Sequence, residues 1–164
     1  MKSLVIGFVV CALLVSGQAF AMIETISLEE LIKQSEIIAV ATLKVVNKHP
    51  KDLDGWVRID NTIVLEQILK GSVGVNEEVV IETLEGLEDM PVFEPRKKFL
   101  VFLQKDASSH KFLTTNLIQG CWPLEPNGEP LGMGTGITRK KLEATIKAVG
   151  TEKPQPTETK EPAF

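Results

Sequence analysis

The sequence predicts a mainly β protein, a small antiparallel five-stranded barrel with one short helix before it and one helix after it. Two observations carry most of this. Five stretches between residues 37 and 118 read as strands, four with some apolar–polar alternation and one, Lys97 to Gln104, apolar on both parities, separated by turn-forming Gly, Pro, Asn and Asp. The flanking segments 27–35 and 138–149 instead repeat apolar residues at helical spacing. A third observation favours a barrel over an open sheet: the second strand is long enough to serve two sheet edges, as closing a small barrel requires.

The chain opens with an address. Lys2 gives a positive start, Leu4 to Val15 form an apolar run, and Ala19-Phe20-Ala21 has the small-x-small pattern of a cleavage site. Residues 1–21 therefore read as a signal peptide, with Met22 the first residue of a secreted protein, periplasmic or extracellular. The run is shorter than the ~20 apolar residues that cross a bilayer. No later segment comes near that length, so no transmembrane segment is expected. Cys11 is not read as a lipid-anchored first residue, because Val10 stands where lipoprotein processing wants a small side chain.

One domain, 22–150, follows the leader. Ser27 and Glu30 have capping-box spacing, and Leu28, Leu31 and Ile32 share a helix face over 27–35. From Ile37 to Val46 one parity is wholly apolar while the other turns from Ile38 and Val40 to Thr42 and Lys44, which predicts a strand buried at its start and half-exposed at its end. Residues 47–55 read as a loop containing Pro50. The second strand, Trp56 to Leu69, has Val57, Ile59, Ile63 and Leu65 on one face, and Asn61 interrupts them, so a bulge is expected nearby. Gly71 to Asn76 turns the chain into a third strand, Glu77 to Leu84, and an acidic loop runs from Glu85 to Pro95. Lys97 to Gln104 is apolar on both parities and reads as a central strand covered on both faces. A turn at 106–110 leads to a fifth strand, Lys111 to Ile118. Residues 119–136 look irregular, a helix follows from Thr138 to Val149, and 151–164 has the composition of a disordered tail.

This order of elements makes the OB-fold the leading candidate. The helix, the buried strand, a long strand closing in Leu69-Lys70-Gly71, a strand ending in Glu82-Thr83, and the run Lys98-Phe99-Leu100-Val101-Phe102-Leu103 resemble secreted bacterial proteins similar to the OB barrel of netrin-like and tissue-metalloprotease-inhibitor-like (TIMP-like) domains. The resemblance covers about residues 27–124 and implies a β-barrel. It does not bring the inhibitory mechanism with it. Those inhibitors chelate zinc through an N-terminal cysteine held by disulfides, whereas this chain would begin at Met22 and keep the single cysteine Cys121.

Composition narrows the function classes. The net charge of -4 repels nucleic acid, which is held mainly by Lys and Arg at phosphates. With seven Phe, two Trp and no Tyr, a stacking platform for bases or sugars would have little to draw on. Cys121, with His110 or His49 as partner, is the minimum for thiol catalysis. Unpaired in an oxidising compartment, Cys121 could also link two copies into a dimer. Asp52-x-Asp54-Gly55 resembles part of a calcium loop, but the first and twelfth positions fall on Pro50 and Asn61, so a solvated turn is expected and no metal or other cofactor. Gly132-Met133-Gly134-Thr135-Gly136 before Arg139, Lys140 and Lys141 could hold an anion, but lacks dinucleotide spacing and reads as a connector. Glu85, Glu88, Asp89 and Glu94 lie in or beside the longest loop between predicted strands and mark the expected partner surface. The leading expectation is a non-catalytic, exported, protein-binding or envelope-associated module. The alternative is a thiol-dependent enzyme using Cys121.

Overall fold

The computed structural model describes residues 24–151, so the expected signal peptide, 1–21, and nearly all of the expected tail, 151–164, lie outside the described residues. The elements are α1 (Leu28–Gln34), β1 (Ile37–Lys51), β2 (Val57–Lys70), β3 (Glu78–Leu84), β4 (Lys98–Lys105), β5 (Phe112–Thr114), β6 (Cys121–Pro123) and α2 (Arg139–Thr151). Around the barrel the strands run β1, β2, β3, β5, β4 and back to β1, which pairs with β4 from Ile37 opposite Leu103 to Thr42 opposite Lys98. This is a closed five-stranded, OB-like barrel with one extra strand, β6, on β4. The expected all-antiparallel pairing fails at one seam, because β3 and β5 meet in parallel at Ile81 and Phe112. The reason is parity: directions cannot alternate around a ring with an odd number of strands.

The alternation in β1 and β4 builds two cores. One parity, Ile37, Ala39 and Ala41 with Phe99, Val101 and Leu103, fills the barrel interior together with Ile63, Leu65, Val79, Ile81, Phe93 and Cys121. The other parity, Ile38 and Val40 with Leu100 and Phe102, packs outside the barrel against Leu31, Ile32, Trp122 and Leu142. The helices therefore cover one side of the sheet, as the doubly apolar β4 required. Ser27 caps α1 by accepting from the Glu30 amide at 3.1 Å. At the other end of α1, Lys70 Nζ donates to the carbonyls of Ile32 and Ser35.

Four local expectations are corrected. First, β1 continues to Lys51 through the segment expected to be a loop. Beyond Thr42 it no longer pairs with β4, so Pro50 sits on an edge strand, where a missing N–H is tolerated. Second, the irregularity near Asn61 lies on the partner strand: the register shifts between Leu43 and Val45, opposite Ile63 and Thr62, while Asn61 stays paired with Val46 and Ile81. Third, the fifth strand ends at Thr114, and residues Leu117–Gly120 form a 3₁₀ turn. Fourth, β6 lies inside the stretch expected to be irregular. Gly120 and Gly134 allow it. A Cβ on Gly120 would stand 2.3 Å from the Thr115 carbonyl, and one on Gly134 would stand 2.5 Å from the Trp122 ring. The glycine-rich connector is thus partly a packing surface for Trp122, which lies 4.7 Å from Phe102 between ring centroids.

Candidate binding surface at the barrel mouth

The cysteine and the histidines do not form a constellation. Cys121 projects from β6 into the barrel interior, is 5% exposed, and burial pushes its thiol from 9.0 up to about 12. His49 lies exposed on the outer end of β1, with Nε2 2.9 Å from Asp60 Oδ2. His110 is exposed in the turn between β4 and β5. Neither imidazole contacts the sulfur. The Cys121-linked dimer also needs a sulfur within reach of a second chain, and the folded barrel encloses it.

Other motifs from the sequence are satisfied within the chain. Asp52 closes its own turn, with Oδ1 accepting from the amides of Asp54 at 3.1 Å and Trp56 at 2.8 Å. At the start of α2 the Arg139 amide donates to Glu129 at 3.3 Å, so a carboxylate of the protein itself stands where an external anion would. On the outer face of β2 and β3, Lys111 bridges Asp60 and Glu82 at 2.7 Å each, and Arg58 joins Glu82 at 2.6 Å. Partial burial would raise the Asp60 and Glu82 carboxyls, but hydrogen bonds from Lys111, with His49 or Arg58, outweigh it and hold both below their ordinary values. That face is a closed charge network and offers no stripe of free cations to phosphates.

The acidic loop 85–97 builds a different kind of surface. The Glu85 amide is tied to the Val57 carbonyl at 2.9 Å, and the Asp89 carbonyl accepts from Ile118 at 2.9 Å. Pro91 and Phe93 turn inward, Phe93 meeting Phe99 edge-on at 5.3 Å, so the loop crosses the end of the barrel and partly plugs it. Val92, between them, is 77% exposed. The loop and the facing ends of β1, β2 and β3 enclose a mouth of about 230 Å³. Its collar is apolar: Val46, Ile59, Leu84, Leu87, Met90 and Val92. Val46 is 47% and Leu87 38% exposed. The floor is polar, formed by Asn61 and Thr83.

The expected acidic residues distribute unevenly around this mouth. Glu85 lines it while holding Lys48, and Glu94 is paired with Lys97 at 2.8 Å. Glu88 follows the lining residue Leu87 and has no partner among the described residues. A larger groove of about 810 Å³ lies between the start of β4, β6 and α2. Its Lys97, Lys98 and Arg139 are already paired with Glu94, Glu66 and Glu143, while Arg96 has no partner among the described residues. The mouth is the better candidate because it combines exposed apolar side chains with a buried polar floor. Charge alone pointed to the loop. The apolar collar and Asn61 were missed, although an Asn in phase with Val57, Ile63 and Leu65 was a signal that a polar group faces inward. No family model matches this chain, and neither does any curated protein.

Proposed function

We propose that this protein is an exported, non-catalytic binding module that engages a protein partner through the mouth of its barrel. The observation that carries this reading is the collar of exposed aliphatic side chains, Val46, Leu87 and Val92, held on a rigid barrel end and rimmed by carboxylates. Apolar collars with polar rims are typical of protein-binding surfaces. The closed barrel flanked by helices is compatible with the netrin-like and TIMP-like resemblance, and we propose kinship with such secreted domains at the level of architecture. The thiol-enzyme alternative gains no support from a cysteine buried away from both histidines.

The test is capture of envelope or extracellular proteins by the wild type, by Leu87→Asp and Val92→Asp, and by a control, Val75→Asp. Val75 is equally solvent-facing but lies in the β2–β3 turn, at the opposite end of β3. A partner retained by the wild type and the control but lost by both mouth variants, all with unchanged melting, is the expected result. Retention by all four proteins would refute binding at the mouth.

A further inference from the structure

We infer that the mouth receives a basic side chain, lysine or arginine, from the partner; this rests on the reading of the mouth as the binding surface. The argument begins at Asn61, which is 4% exposed. Its Nδ2 donates to Thr83 Oγ1 at 3.0 Å and to the Ile81 carbonyl at 3.3 Å. Its Oδ1 accepts no hydrogen bond among the described residues. Yet no side-chain nitrogen or oxygen sealed from solvent lacks a partner among the described residues, so Oδ1 opens into the mouth that Asn61 lines. A ligand that covers this acceptor without matching it loses about 1–3 kcal/mol, a loss that a donor on the ligand avoids. Thr83 Oγ1 beside it keeps a lone pair after accepting from Asn61. The floor therefore offers two acceptors, Asn61 Oδ1 and Thr83 Oγ1, beside the single donor of the Thr83 hydroxyl.

The walls and rim specify the rest of the ligand. Aliphatic walls from Ile59, Leu84 and Leu87 suit the methylene stem of a long side chain, whose polar tip would reach the floor. The rim sets the sign of that tip. On the loop segment 85–90 at the mouth the chain has no Lys or Arg and carries Glu85, Glu88 and Asp89; Lys48 holds Glu85, and Glu88 has no partner among the described residues. A carboxylate ligand would meet these charges and the acceptor Asn61 Oδ1, and a purely apolar one would leave Asn61 Oδ1 dry. A cation satisfies all three features.

The experiment follows amide NMR signals of Asn61, Thr83 and Leu87 in the protein while adding a glycine-alanine hexapeptide with one central lysine, or its norleucine or glutamate counterpart. The lysine peptide should shift these signals saturably, about tenfold more tightly than norleucine, and the glutamate peptide should leave them unmoved. Asn61→Leu should weaken the lysine peptide to the norleucine level. Glu88→Gln, at an exposed site, should weaken it about twofold and reduce its dependence on salt. Equal binding of lysine and norleucine peptides would overturn the basic side chain and leave the mouth as a binding surface. No shift with any peptide up to about 1 mM would count against both.

Discussion

Asn61 and Cys121 both face the inside of the barrel, and the interior treats them differently. The carboxamide is kept because three hydrogen-bond acceptors, Thr83 Oγ1 and the carbonyls of Ile81 and Ile59, lie within reach of its donor. The thiol is kept because it behaves as a small hydrophobe, at the expense of its ionisation. Its raised value has a measurable consequence. Between 9.0 and about 12 the folded protein holds a proton that an unfolded chain has lost, so stability declines with rising pH across that window. Below it the thiol is neutral in both states and contributes no pH dependence. Cys121→Val lacks this decline, and its stability relative to the wild type should rise by up to about 1.4 kcal/mol per pH unit above pH 9. Denaturant unfolding of both proteins at stepped alkaline pH checks this, and parallel profiles would show the thiol is exposed. At this scale the sequence was partly legible. The isolation of Cys121 from cations could be read from Trp122 and Pro123 beside it. Its inward orientation could not, since that is set by pairing with Val101. Gln119 was illegible as well: its carboxamide holds Ile26 through two hydrogen bonds, at 2.7 and 3.1 Å, across a separation of 93 residues.

Among the elements, β4 was the most legible because neither of its parities carries a polar residue between Phe99 and Leu103. The structure accounts for this by placing Phe102 in the outer core and Leu103 in the barrel interior, both fully buried. Either Phe102→Ala or Leu103→Ala should therefore cost roughly 2–5 kcal/mol through lost burial and a residual cavity. Because the two side chains lie in different cores, the double variant should show nearly additive losses, measurable by denaturant unfolding. Losses under about 0.5 kcal/mol would place the strand at the surface. β6 escaped notice because three residues, one of them Pro123, are too few to show a period, and Trp122 is fixed by contacts distant in sequence. The outer half of β1 escaped for the opposite reason: Pro50 and His49 look like loop residues, yet on a free edge proline and Lys44, Lys48 and Lys51 discourage pairing with another chain.

At the scale of the whole molecule, the order of apolar runs was enough to specify a closed barrel with flanking helices, since each run had a face to bury and few arrangements bury them all. The mouth was not legible in the same way. Leu87 and Val92 belong to a loop whose sequence is dominated by charge, and only the inward turn of Pro91 and Phe93 makes Val92 project outward. The same closure that encloses Cys121 leaves this end of the barrel as its apolar opening. Hydrogen–deuterium exchange of the protein with and without a captured partner tests this most directly. Binding at the mouth predicts slowed exchange at residues 45–47, 59–61 and 83–93, with the β2–β3 turn and α2 unchanged. Protection confined to the groove between β6 and α2, with the mouth exchanging as in the free protein, would contradict it.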